Sequence, residues 1–281
     1  MVRPAMPTLE RDDGVRLHVE TGGVPGAPTL LLLHGWSRSG EDLAPLAARL
    51  RAAGHQTVVP DLRGHGRSSD GPLDLDRLAA DLTAVATAFA PPGAVLLAWS
   101  LGALAALRAL AASPALAGRL RGAVLIGATP RFTEGEAWPH GQPARVVEGL
   151  ALRLRRAPQK ALARFLDDCL APGEAEALPP GALSALRAGP APSLPAALAG
   201  LEVLATADLR ADLRAGGPGL ALPVLLIHGE ADAICPAGAG RALSALLPRA
   251  RLALLPGGHA PFLAREAEVA GLVADFAREV A

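Results

Sequence analysis

Short apolar runs alternate with longer amphipathic stretches along most of the chain. Val15, Leu17 and Val19 alternate with polar residues, which predicts a strand over residues 15–20. Residues 29–33 form a continuous apolar run, as a strand buried on both faces requires, and lead into His34-Gly35-Trp36. Residues 43–53 have helical spacing with Gly54 as a stop. The run 56–60 predicts the next strand, followed by Asp61-Leu62-Arg63-Gly64-His65-Gly66-Arg67-Ser68. A helix is expected over 75–89, broken by Pro91-Pro92-Gly93, then a strand over 95–99, a helix over 101–112 and a strand over 123–127.

The rhythm changes at Thr129. Residues 129–205 contain helix-like stretches broken by prolines and no strand pattern. Strands resume at 223–228 and 251–255, and a last helix is expected over 267–280. Strand–helix alternation predicts an α/β fold, with a mostly parallel central sheet flanked by helices on both faces. The expected organisation is a core of residues 1–128 and 206–281 with a helical cap inserted at 129–205. Such sheets bind ligands beyond the carboxyl ends of their strands. His34, Asp61, Ser100, Asp232 and His259 all fall at or just after such ends.

Composition narrows the classes. The 281 residues are 51% hydrophobic, enough for a sizeable core. Lys plus Arg and Asp plus Glu number 27 each, so no overall charge attracts nucleic acid. Cys169 and Cys235 have no metal-ligand spacing and are expected to be free thiols, with no metal site and no cofactor. The first twenty residues lack an apolar leader segment, and no run reaches the ~18 apolar residues of a membrane span. A cytoplasmic, monomeric protein away from the membrane is expected.

Ser100 interrupts two apolar segments in Ala98-Trp99-Ser100-Leu101-Gly102. It follows a predicted strand and opens a predicted helix, the context of the Gly-x-Ser-x-Gly nucleophile elbow. Ala98 replaces the first glycine. A plain helix N-cap is the alternative role. A serine nucleophile needs a base and the base an orienting acid. His259, in Pro256-Gly257-Gly258-His259, and Asp232, in Gly229-Glu230-Ala231-Asp232, supply both in the chain order Ser, Asp, His. Glu230 and Asp208 are rival acids, and His228 reads as structural.

These motifs resemble those of the α/β-hydrolase superfamily. A narrower resemblance, carried by Gly35-Trp36, the Trp-containing elbow, Phe132, Trp138-Pro139, Arg164-Phe165-Leu166, Thr206-Ala207-Asp208-Leu209-Arg210 and His259-Ala260-Pro261-Phe262, is to esterases of biotin synthesis. Those enzymes cleave the methyl ester of a pimeloyl group carried on acyl carrier protein. The resemblance implies that Ser100, Asp232 and His259 are catalytic and that the backbone N–H groups of Trp36 and Leu101 form an oxyanion hole. It also implies substrate contacts from Trp36, Trp99, Phe132 and Phe165, and acyl carrier protein as partner.

A small acidic carrier calls for basic charge on the cap. Between residues 145 and 164 there are six basic residues, Arg145, Arg153, Arg155, Arg156, Lys160 and Arg164, against Glu148 alone. Arg153, Arg156, Lys160 and Arg164 are the expected carrier-binding residues, with Lys160 and Arg164 four apart on one helix face. Residues 171–199 carry only Arg187, where the family pattern has further arginines. A short-chain carboxylesterase or lactonase, and a non-catalytic ligand-binding relative, are the competing functions.

Overall fold

The computed structural model describes residues 7–281; residues 1–6, the beginning of the stretch read for a leader, lie outside the described residues. Eight strands form one sheet: β1 (Thr8–Glu10), β2 (Arg16–Gly22), β3 (Thr29–Leu33), β4 (Gln56–Pro60), β5 (Ala94–Trp99), β6 (Leu120–Ile126), β7 (Val224–Gly229) and β8 (Ala250–Leu255). Their order is β1-β2-β4-β3-β5-β6-β7-β8. The pairs β1–β2 and β2–β4 are antiparallel, and all the others are parallel. Every residue of β3, β5 and β7 is buried, as a sheet covered on both faces demands.

Helices α1 (Ala44–Ala52), α2 (Leu75–Phe89), α3 (Leu101–Ala112) and α4 (Pro114–Ala117) fall in the first half. Between β6 and β7 run α5 (Ala144–Arg156), α6 (Pro158–Asp168), α7 (Glu174–Ala177), α8 (Ala182–Ala188), α9 (Leu194–Thr206) and α10 (Arg210–Ala215). The chain closes with α11 (Ala237–Leu246), α12 (Pro261–Ala264) and α13 (Glu266–Glu279). The predicted architecture is therefore present: a mixed, mostly parallel sheet, flanking helices and a helical insertion. No helix among the described residues is long and apolar enough to cross a membrane.

Local differences have local causes. β1 was not expected, because three residues with an exposed Thr8 and Glu10 carry no readable alternation. The helix expected from residue 43 opens earlier as a 3-10 turn, Gly40–Leu43, where the Asp42 carboxylate accepts the Ser39 N–H. In the insertion, isolated bridges join Arg131 to Asp208, Thr133 to Gln142 and Gly135 to Trp138. Helix α5 buries only Val147 and Leu154, whereas α9 buries six residues from Ala196 to Leu204. Proline in the first turn starts both α6 and α9, where its missing N–H is no loss.

Candidate active site

Ser100 sits between β5 and α3 with φ +57° and ψ −118°, a backbone conformation that L residues adopt only under strain. Its hydroxyl makes no capping bond to the helix, so the N-cap role does not account for it. The turn requires close approach between segments. A Cβ on Gly102 would lie 2.5 Å from the His34 carbonyl oxygen, so only glycine lets the start of α3 press against the loop after β3. Ala98 is fully buried in β5, opposite Leu33 and Leu125, and its methyl is absorbed within the sheet.

The structure brings Ser100, His259 and Asp232 together. His259 Nε2 lies 2.8 Å from Ser100 Oγ, and Nδ1 lies 2.8 Å from Asp232 Oδ2. A carboxylate only accepts, so Nδ1 carries the proton and donates it to Asp232, leaving Nε2 free to accept from the Ser100 hydroxyl. The loop after β7 fixes the acid: Asp232 Oδ1 accepts the Ile234 and Cys235 N–H groups, each at 2.8 Å. Burial pushes the Asp232 carboxyl pKa up, but the His259 and His228 imidazoles outweigh it and hold the pKa well below the usual carboxylate value. His228 Nε2 donates to the Cys235 carbonyl at 2.7 Å and stands 3.3 Å from Asp232 Oδ2. The rival acids lie elsewhere: Asp208 is paired with Arg131 and Arg210, and Glu230 is exposed.

Trp36 and Leu101 lie on the two segments that Gly102 brings into contact. Among the described residues, neither backbone N–H donates to another group of the chain. The Trp36 indole N–H donates to the Ala197 carbonyl of α9 at 2.9 Å, and its ring meets Phe165 edge-on with centroids 4.7 Å apart. The Trp99 indole N–H donates to the His259 carbonyl at 2.9 Å. Both indoles are about 1% exposed. Phe132 and Phe165 line a groove of about 160 Å³ that reaches the Asp232 loop at Ala233 and Ile234; neither tryptophan lines it. Arg153 and Arg164 also line this groove.

Arg153, Arg155, Arg156 and Lys160 are exposed and form no ion pair among the described residues, but Arg164 is paired with Asp168 at 2.9 Å. Arg187 is likewise paired with Asp167. Cys169 and Cys235 are buried free thiols whose pKa burial raises. His34 is also buried: its Nδ1 donates to the Gly35 carbonyl at 2.8 Å and its Nε2 accepts the Leu62 N–H at 2.9 Å. It latches the loop rather than reaching Ser100.

Sequence reasoning missed the contacts from the insertion. Gln142 Nε2 donates to the carbonyls of Ala233 and Ile234 at 2.7 and 2.9 Å, bracing the loop that holds Asp232. The Cys169 carbonyl accepts the His259 N–H at 2.8 Å. A glutamine 91 residues from its acceptor, or a carbonyl whose side chain is irrelevant, leaves no pattern in the chain.

The sequence matches the alpha/beta hydrolase family over residues 30–272. It is 38% identical over 268 residues to the pimeloyl-[acyl-carrier protein] methyl ester esterase of Xanthomonas axonopodis pv. citri, covering 94% of this chain and all of that protein. Among solved structures, an esterase from Exiguobacterium antarcticum superposes with a TM-score of 0.86 at 22% identity, covering 96% of this chain and 98% of that one. A bromoperoxidase from Bacillus anthracis gives 0.87 at 22% identity over 98% of this chain and 100% of that one. At that identity the two structures speak for the fold alone.

Proposed function

The chain belongs to the α/β-hydrolase family, and from that premise we propose that it is a serine carboxylesterase that cleaves the methyl ester of a pimeloyl group on acyl carrier protein. The observation that carries the esterase chemistry is the unbroken hydrogen-bonded series Ser100–His259–Asp232, 2.8 Å at each step, on a strained serine at a strand end. His259 Nε2 takes the hydroxyl proton as Ser100 Oγ attacks the ester carbonyl. The oxyanion forms against the Trp36 and Leu101 N–H groups, and the positive end of α3 favours it. His259 returns the proton to the departing methoxy oxygen, releasing methanol. Water, deprotonated by His259, then attacks the acyl-enzyme, and the proton passes back to Ser100. Asp232, kept ionised, stabilises the imidazolium in both halves.

The substrate assignment rests on the 38% identical relative, whose name states that substrate, and on the surface of α5 and α6. There, Arg153, Arg155, Arg156 and Lys160 are exposed without ion-pair partners among the described residues, and α5 also carries Leu152, which is 56% exposed. Free cations beside an exposed apolar side chain suit an acidic partner, which charge would steer in. The Phe132–Phe165 groove has Arg153 and Arg164 as well as Ala233 and Ile234 of the Asp232 loop in its lining, and its apolar walls suit an acyl chain.

The deciding experiment compares hydrolysis of pimeloyl methyl ester, free and carrier-linked, by the wild type and by an Arg156→Glu/Lys160→Glu variant. The expected result is a carrier-linked kcat/KM at least ~10-fold above the free ester, with the advantage lost in the variant and rising ionic strength eroding it in the wild type. Equal rates on both substrates would reject the carrier protein and leave a short-chain carboxylesterase or lactonase.

A further inference from the structure

Glu174 opens α7 inside the insertion and is only 8% exposed. A carboxylate that buried must be held by donors. Its Oε2 accepts two: the Ala171 N–H at 2.8 Å, closing its own turn, and the Gly258 N–H at 3.0 Å, across in the loop that carries His259. Closing the local turn requires only the first bond. The second ties the insertion to the residue preceding His259.

The loop is shaped to receive this carboxylate. Glu174 Oε1 is buried without a hydrogen-bond partner and lies against Gly257. A Cβ on Gly257 would come within 2.2 Å of that oxygen, and Gly257 has φ +129°, so glycine meets both the approach and the backbone requirement. The next N–H in the loop, that of His259, donates to the Cys169 carbonyl at 2.8 Å. Two successive loop N–H groups are thus held by residues 169 and 174, while the Trp99 indole holds the His259 carbonyl from the core side.

We propose that Glu174 is a positioning residue for His259: its carboxylate fixes Gly258 and so sets where the imidazole meets Ser100. The inference rests on the reading of His259 as the general base. Hydrogen bonds to a charged acceptor are among the stronger ones in proteins, and displacing a reacting group by ~1 Å can cost about 100-fold in rate. Glu174 touches no reacting atom and acts only through the loop.

The test uses the full chain and four proteins: wild type, Glu174→Gln, Glu174→Asp and Glu174→Ala. Glutamine keeps an acceptor oxygen at the same reach; aspartate is one methylene too short; alanine removes the acceptor. Two readouts are taken well below each variant's Tm: kcat and KM for p-nitrophenyl butyrate, and hydrogen exchange at the Gly258 and His259 amides. The expected result is kcat lowered about 10- to 100-fold in the aspartate and alanine variants with KM within about twofold, and Gly258 exchange at least ~10-fold faster. Glutamine should restore kcat to within about fivefold of wild type and keep Gly258 protected. Should the alanine variant fail to fold, the aspartate–glutamine pair decides.

Wild-type kcat and Gly258 protection in the aspartate variant would overturn the proposal, as would a loss confined to KM. If the wild type cleaves no ester, the esterase reading fails by itself. Gly258 exchange then decides only whether Glu174 holds the loop that carries His259: acceleration in the aspartate variant keeps that tie, and unchanged exchange removes it, while the catalytic part of the proposal falls with the esterase reading.

Discussion

The sheet edge and the helical insertion meet at the same loops but contribute by different physics. The core delivers Ser100, Asp232 and His259 from the carboxyl ends of β5, β7 and β8; β5 and β7 are buried throughout, and β8, the last strand of the sheet, is mostly half-buried. The insertion delivers no member of that series. It supplies hydrogen-bond partners to the loops beneath it: Gln142 to the backbone of the Asp232 loop, Cys169 and Glu174 to the backbone of the His259 loop, and the Ala197 carbonyl to the Trp36 indole N–H. The Leu186 carbonyl accepts from Arg38, whose guanidinium also pairs with the buried Asp42. An element that grips each of these loops is a brace as well as a cover. Core substitutions should remove chemistry outright, and insertion substitutions should detune it.

Ser100→Ala should give the largest effect, about 10⁴-fold or more in kcat on any ester, because members of such a series act as a unit. Its Tm should stay near the wild-type value, since the substitution removes one hydroxyl and its bond to His259 but no core contact, and leaves the strained backbone as it is. A variant that kept substantial activity would move the chemistry away from the sheet edge.

The core loop after β4 should show itself through pH. His65 is fully buried with Nε2 unpaired, and burial, joined by the nearby His34, lowers its pKa from 6.5 to about 4. The unfolded chain therefore binds a proton that the folded one refuses between those two values. Stability is full above pH 6.5, declines as pH falls towards 4, and loses nothing further below that from this group. The shift corresponds to about 3 kcal/mol. Urea denaturation at pH 7 and pH 4 should show His65→Gln losing less stability across that interval than the wild type. Equal losses would mean that His65 takes no part.

Gln142→Ala sharpens the comparison from the insertion side. It removes both donors to the Ala233 and Ile234 carbonyls. A loss of about 3- to 10-fold in kcat is expected, with the Asp232 bonds to Ile234 and Cys235 limiting the damage. Steady-state kinetics on a small ester checks it. A loss as deep as that of Ser100→Ala would erase the distinction between brace and chemistry.

How far the chain announces all this follows the same division. The uniformly apolar run 94–99 and the Ser-x-Gly turn after it are local patterns, so β5 and α3 can be read directly from the sequence. The meeting of Ser100, Asp232 and His259 is legible because each residue sits at a recognisable strand end. The start of α6 is legible from Pro158, which suits a first helical turn. The braces are not. Glu174 stands 84 residues from Gly258, and the Cys169 carbonyl 90 residues from His259, with acceptors that any residue could supply or that no period marks. Trp36 and Trp99 show the same limit: an aromatic near a serine reads as a pocket wall, yet each indole N–H is turned to a backbone carbonyl.

The most direct measurement is covalent trapping. The wild type, Ser100→Ala and His259→Ala would each be treated with a fluorophosphonate and mapped by peptide mass spectrometry. The account predicts one adduct, on Ser100, absent from Ser100→Ala and formed far more slowly in His259→Ala. An unlabelled wild type, or an adduct on another residue, would contradict it.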